Sequence, residues 1–304
     1  MIIDFHVHIA EEKNYSKSFR EKVFAHRKRI LSEEDFKKFR MDGRVETLIE
    51  DMDKAGIDAS VCLGSDLAFL TQEEPEAHFF RVNEYLAESQ VKYPGRIIGF
   101  FGCDPFRPGA VKLLEKGIKE LGLKGVKLNA GWYFATDERI DSYIQKIAEL
   151  RVPVLFHAGA DPHPFLVKYG DPRYLDDLLL KYPGLKIIVA HWARGYEQLL
   201  NQMLYFRPGR LWADISGWQF EYKFSSWHFL TQMRYFLDRV PDSILLGSDW
   251  PYISSAPYPT IKEWVEIIKN MELPQVCLDM GMRQFTEEEK NKILGGNARK
   301  ILNL

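Results

Sequence analysis

The chain is 304 residues long, 46% hydrophobic and 28% charged, which supplies enough apolar surface for one large core and is also compatible with two domains. Its 41 basic and 43 acidic residues leave a formal charge of -2, so no global field favours nucleic acid or an anionic membrane surface, and the expected partner is a small molecule. Three widely separated cysteines, Cys62, Cys103 and Cys277, exclude a disulfide framework and a cysteine-rich zinc module. With no basic-then-apolar leader and no window approaching the ~18 apolar residues of a membrane span, the expected setting is soluble, reducing and cytoplasmic.

Met1 to His8 reads as a buried strand carrying two histidines one residue apart. Alternation along a strand puts His6 and His8 on one face with Ile2 and Asp4, as a two-pronged claw for a metal. Glu11 to Gly43 is strongly charged, with Phe19, Phe24, Phe36 and Phe39 at roughly helical spacing; a helical insertion (11–43) over the mouth of the domain is expected, a solvated surface hairpin being the alternative. From Arg44 onward, amphipathic helices alternate with short apolar runs. Leu48, Ile49, Met52 and Ala55 form a helical stripe that stops at Gly56, and Ala59 to Leu63 follows as a strand. Helices are then expected over Ala77 to Tyr93, Ala110 to Leu121, Asp137 to Leu150, Asp171 to Tyr182, Tyr196 to Phe206, Trp227 to Val240, Thr260 to Met271 and Glu287 to Leu302. The strands between them are Ile97 to Phe101, Gly125 to Asn129, Val154 to His157, Lys186 to His191, Leu211 to Ile215 and Ser243 to Leu246. Eight strands separated by helices imply parallel pairing and a single (β/α)8 TIM barrel spanning residues 1–304, an α/β fold. A doubly wound open sheet is the runner-up, but the chain lacks its Gly-x-Gly-x-x-Gly turn.

Chemistry in such barrels sits at the carboxyl ends of the strands. There stand His6 and His8, Lys127 and Asn129, His157, His191, Asp214 and Ser216, and Asp249, so that half of the eight histidines fall at the ends of three strands. Singly, each has an ordinary explanation: His157 as a packed core histidine, Asp249 as a turn residue, Lys127 as the partner of an acid. Together they describe a site. Neutral imidazoles and a carboxylate suit a borderline divalent ion, and His6, His8, His157 and Asp249 can reach one point on the barrel axis. His191 is a further candidate, as acid, base or carbonyl polariser.

The segments Asp4-Phe-His6-Val-His8, Gly125-Val-Lys127-Leu, the strand ending in His157, Ala190-His191 and Gly247-Ser-Asp249-Trp-Pro251 resemble the amidohydrolase superfamily, in its amidohydrolase-related (amidohydrolase 2) branch, over nearly the whole chain. That branch includes aminocarboxymuconate semialdehyde decarboxylase and related aromatic acid decarboxylases as well as lactone and amide hydrolases. The resemblance implies one divalent metal ion, usually zinc and sometimes manganese, held by His6, His8, His157 and Asp249. It implies catalytic roles for His191 and Asp249, the latter in proton transfer, and often a homodimer. In binuclear relatives a lysine on strand four is carbamylated and bridges two metals; Lys127 stands at that position, which in this branch more often holds a substrate or structural lysine. TatD-like nucleases share His-x-His but resemble a pattern with a glutamate at the end of strand three, where this chain has Gly99-Phe-Phe-Gly-Cys-Asp104.

The loops after the strands carry Trp132, Tyr133, Trp192, Trp218, Trp250 and Tyr252, an aromatic rim suited to a planar or ring-containing molecule. Arg194 and the basic residues of the insertion suit a carboxylate. The expected substrate contacts are Lys127, Asn129, Trp132, Arg194 and Trp250. Hydrolysis of a small amide, lactone or ester through a metal-activated water is the leading expectation; non-oxidative decarboxylation of an unsaturated or aromatic acid is the second.

Overall fold

Strands β1 (Ile3–Val7), β2 (Ala59–Leu63), β3 (Ile97–Gly102), β4 (Gly125–Leu128), β5 (Val154–Phe156), β6 (Ile187–Val189), β7 (Leu211–Asp214) and β8 (Ile244–Leu245) form one sheet of eight in chain order. Every neighbouring pair is parallel. The computed structural model describes residues 1–39, 43–161, 164–253 and 257–304. The ends of the sheet meet through the segment after β8: Phe5 N donates to Leu246 O (2.8 Å), Asp249 N to His6 O (2.8 Å) and His8 N to Trp250 O (2.7 Å). The protein is a (β/α)8 TIM barrel, and the seam that closes it joins the strand bearing the two histidines to the loop bearing Asp249.

Two apolar clusters line the two faces of the sheet. Ile3, Phe5, Val61, Phe100, Leu155, Ile188 and Leu245 pack inside the barrel, whereas Val7, Cys62, Phe101, Val126, Phe156 and Val189 pack outward against the helices. In β1 the phase changes: Ile3 and Phe5 belong inside and Val7 outside, across an irregular register between Asp4 and Val7. Strict alternation therefore fails here, and Asp4 does not share a face with His6 and His8 as expected. An irregular register re-aims the side chains that follow it, a device common beside active sites.

The insertion contains helices α1 (Lys17–Ile30) and α2 (Glu33–Lys38), each started by a serine whose hydroxyl accepts an amide hydrogen, Ser16 from Phe19 and Ser32 from Asp35. Residues 40–42 of the expected insertion lie outside the described residues. Elsewhere the expected helices begin or end a few residues differently; the one over Ala77 to Tyr93 starts only at Arg81. The final helix departs most. It runs over Glu287–Asn291, opens into a wide turn at Lys292–Gly296 and resumes over Asn297–Leu302. The opening frees the Ile293 carbonyl to accept Leu246 N at 3.0 Å, and a side chain on Gly295 would lie 2.3 Å from the Met1 carbonyl oxygen. The break thus admits the first strand against the barrel floor. Among the described residues no helix is long and apolar enough to cross a membrane.

One buried ion pair ties this last helix to the barrel wall. Arg234 is fully buried and donates to both carboxylate oxygens of Glu289, at 2.8 and 2.5 Å. Burial pushes the Glu289 carboxyl up, but the Arg234 hydrogen bonds and charge outweigh it and hold its pKa at about 2. Glu289→Gln leaves the buried guanidinium with only the more exposed Asp238, 3.0 Å away, as its counter-charge and is expected to cost about 3 kcal/mol at neutral pH. Because the folded pKa lies below the unfolded value of about 4.3, this stability is present above that value and is lost as pH falls towards 2. Thermal melts of both proteins across that window check it: the gap in Tm closes in acid.

Candidate active site

His6 and His8 leave β1 towards the interior, beside the sharp loop that follows β8. The ring nitrogens His6 Nε2 and His8 Nε2 lie 3.2 Å apart, and Asp249 Oδ1 lies 3.5 Å from the first and 3.4 Å from the second. Asp249 reaches this position with a left-handed backbone (φ 55°), held by its amide bond to His6 O. From behind, the Asp4 carboxylate accepts the amides of Ser248 (3.0 Å) and His6 (3.2 Å), tying the two segments together. Burial pushes the Asp4 carboxyl up to about 7, against those hydrogen bonds.

Asp214, at the end of β7, organises the next layer. Its Oδ2 lies 2.9 Å from His6 Nδ1, while Oδ1 accepts the amides of His191 (3.1 Å) and Ser216 (3.0 Å) and the Ser216 hydroxyl. Burial would raise the Asp214 carboxyl, but the charge and hydrogen bond of His6 dominate and hold it at about 2. An ionised Asp214 makes His6 Nδ1 the donor and leaves Nε2 as a lone pair facing His8 and Asp249. The Ser216 hydroxyl has one hydrogen, given to Asp214; His191 Nδ1, 2.9 Å from Ser216 Oγ, must then donate, which leaves His191 Nε2 as the acceptor. Three successive left-handed residues, His191, Trp192 and Ala193, turn this ring inward, a costly backbone that the Asp214 bond to the His191 amide helps to hold.

Protonation suits cation binding. Burial pushes His6 down to about 3 despite Asp214, lowers His8 despite Asp249, and takes His157 well below its ordinary value. Burial would raise Asp249, but the His8 hydrogen bond and the neighbouring histidines hold it well below the usual carboxylate range. Two imidazoles held neutral by burial and a carboxylate therefore converge, with ligand atoms all within 4.8 Å of one another, a donor set that fits a borderline divalent ion. His157 falls in a different group, with Asp161 and His191. Its buried Nε2 lies 3.2 Å from Asp161 Oδ2 yet makes no hydrogen bond.

A family model described as Amidohydrolase matches residues 3–304. The chain belongs to the amidohydrolase family. Solved structures share its fold at low identity. A dihydroxybenzoic acid decarboxylase from Polaromonas sp. JS666, with bound manganese and the inhibitor 2-nitroresorcinol, is 19% identical over 100% of this chain and 97% of its own, with a TM-score of 0.64. A 2,6-dihydroxybenzoate decarboxylase complexed with 2,6-dihydroxybenzoate is 16% identical over 100% and 99%, with a TM-score of 0.68. A probable 2-pyrone-4,6-dicarboxylic acid hydrolase from Acinetobacter baumannii with citric acid bound is 16% identical over 100% and 99%, with a TM-score of 0.61.

In this amidohydrolase the clusters open into one cavity of about 440 Å³, lined by His8, Lys127, Asn129, His157, His191, Arg194 and Asp249 among others, with α1 forming part of its wall. Lys127 is 2% exposed and its ammonium makes no hydrogen bond among the described residues. Burial pushes it down to about 8, against the pull of Asp214, Asp249 and Asp161. Arg194 donates to Asp161 Oδ1 at 2.7 Å. Two expected contacts are elsewhere. The Trp132 indole stacks on Phe69 and donates to Asp104, and that of Trp250 is buried and donates to Asp51, so neither lines the cavity. The expected aromatic rim is likewise reduced: Trp192 and Trp218 pack into the core against Phe229, and only Tyr252 of that set faces the cavity. Asp161 is the residue that strand-end reasoning misses, because it sits four residues past His157 in a loop; the spacing is the only signal it leaves.

Proposed function

We propose that this amidohydrolase is a metal-dependent hydrolase of a small amide, lactone or ester. The observation that carries the reading is that His8 and Asp249, whose donor atoms converge with that of the fully buried His6, share a cavity wall with His191, whose ring is oriented by Asp214 and Ser216. A divalent ion, zinc or manganese, held by His6, His8 and Asp249 with His157 as a further ligand, would polarise a substrate carbonyl and lower the pKa of water. The remaining work belongs to the chain. His191 Nε2, an acceptor in the neutral ring, takes a hydrogen bond from the attacking water and fixes its orientation. Ionised Asp249 takes a proton from that water and returns it to the leaving nitrogen or oxygen. Lys127 and Arg194 hold a substrate carboxylate or carbonyl by charge-assisted hydrogen bonds, and Asn129 adds a neutral contact.

A second reading, loss of carbon dioxide from an unsaturated or aromatic acid, is supported by the unpaired Lys127 ammonium, which favours a carboxylate inside the barrel. Purified protein, before and after chelation, is to be screened against cyclic esters, amides and aromatic carboxylic acids, following both hydrolysis and carbon dioxide. Hydrolysis that disappears on chelation, returns with zinc or manganese, and is absent with the metal in His6→Ala is the expected result. Carbon dioxide release without hydrolysis replaces the first reading by the second; full activity in metal-free protein sinks both.

A further inference from the structure

The buried and half-buried arginines that line or brace this barrel differ in one respect. Arg234 is paired with Glu289, Arg107 with Asp66 and Arg194 with Asp161. Arg27, on α1, has no such partner among the described residues. It is 8% exposed, and one Nη donates to the Tyr252 carbonyl at 2.9 Å. Its Nε is buried with no acceptor, and no carboxylate ion-pairs with it among the described residues. The guanidinium sits between two rings, 5.5 Å from the centroids of Phe39 and of Phe220, and Phe220 carries Arg194 at the same distance on its own account. Aromatic faces soften the burial of a cation but do not neutralise it. A guanidinium taken out of water without a counter-charge costs several kcal/mol, and such a group is retained on a cavity wall when something else completes it.

What completes it follows from the wall itself. Phe19, Lys22, Val23, His26, Arg27 and Ile30 all line the cavity, a stripe at helical spacing that alternates apolar and basic side chains. The stripe carries no acidic residue. It therefore presents apolar surface for a ring and positive charge for an anion, at the wall contributed by the insertion.

We propose that Arg27 anchors a carboxylate of the substrate that is not consumed in the reaction, so that the insertion helix selects ring acids bearing a carboxylate in addition to the group that reacts. Planar, bidentate recognition is what a guanidinium does better than an ammonium. The inference rests on the reading of this cavity as the active site, and it holds for hydrolysis and for decarboxylation alike, since in both cases the anchored carboxylate is a spectator.

The test is binding, measured by calorimetry on the full protein with isophthalate and with its uncharged counterpart isophthalamide as probes. Isophthalate is expected to bind wild type in preference to isophthalamide, and Arg27→Met to weaken isophthalate by at least about tenfold while leaving isophthalamide unchanged. Arg27→Lys keeps the charge without the fork and is expected to fall between. In the absence of probe, the Tm of Arg27→Met should be no lower than wild type, because an unpaired buried charge is removed; a purely structural arginine would lower it. Equal binding of isophthalate by wild type and Arg27→Met overturns the proposal, as does a wild type that does not prefer the diacid at millimolar concentrations. Should the methionine variant fail to fold, the lysine variant reads the same preference. Arg27-dependent binding in a protein that turns over no ester, amide or acid would refute the proposed reaction and leave this anchor standing.

Discussion

Asp214→Asn is expected to weaken divalent-ion binding by about 10–100-fold and to lower kcat/KM by about 10²–10⁴-fold, with the fold intact. Asp214 touches no position that the substrate reaches; it acts through the hydrogens it compels others to carry. Its Oδ1 accepts two backbone amides and the Ser216 hydroxyl, so an amide nitrogen cannot occupy that place. The asparagine must therefore turn its NH2 towards His6 Nδ1, 2.9 Å from the present Oδ2. A donor there forces His6 to accept at Nδ1 and to carry its hydrogen on Nε2, pointing it at His8 Nε2 and Asp249 Oδ1. The lone pair that made His6 a ligand is then gone although every atom is nearly where it was. Dialysis against buffered free metal, followed by elemental analysis, reads the affinity, and circular dichroism verifies the fold. Wild-type metal affinity together with kcat/KM within about threefold would show that Asp214 does not set the tautomer.

The strands were readable because a parallel barrel buries each on both faces, which writes it as a short apolar run between Gly or Pro punctuation. Their ends were readable for the same reason: His6, His8, Lys127, His157 and Asp249 are polar residues terminating apolar runs, which no packing rule requires. What sequence hides is direction and isolation. Trp192, Trp218 and Trp250 have the composition of a substrate rim, yet they are buried against the core or the outer helices, and residue type alone does not say which way an indole turns. The irregular register in β1 hides too, because it depends on pairing with β2 and leaves the apolar pattern of Ile3, Phe5 and Val7 undisturbed. Asp214 was visible as a strand end, but its role as the acceptor that orders His6, His191 and Ser216 required all four to be brought together. Arg27 was one basic residue among many in a charged segment. Its lack of a counter-charge among the described residues is a property of three elements meeting, α1, the Phe39 segment and the Phe220 helix (Gln219–Phe224), and no one-dimensional signal carries it.

Asp249→Asn should lower kcat by about 10³–10⁴-fold with little loss of stability, and the choice of asparagine is what makes the result interpretable. Asp249 has φ 55° and lies at the closing seam, where its amide donates to His6 O and its carbonyl accepts Tyr252 N at 2.9 Å. Alanine at this backbone position would add a left-handed strain of roughly 1–2 kcal/mol, confusing a chemical loss with a structural one. Asparagine is among the few residues that adopt this conformation readily, and it matches the carboxylate in shape. What it removes is the negative charge opposite His6 and His8 and the only ionised carboxylate oxygen in that cluster able to take a proton. An amide does neither job. Both losses point the same way, but two measurements separate them: elemental analysis reports whether the cation is held, and kcat at saturating zinc or manganese reports what remains when it is. If saturating metal restores kcat to within about threefold of wild type, Asp249 is a ligand only and the proton must be collected elsewhere, with His191 Nε2, another acceptor on the cavity wall, as the group to replace next.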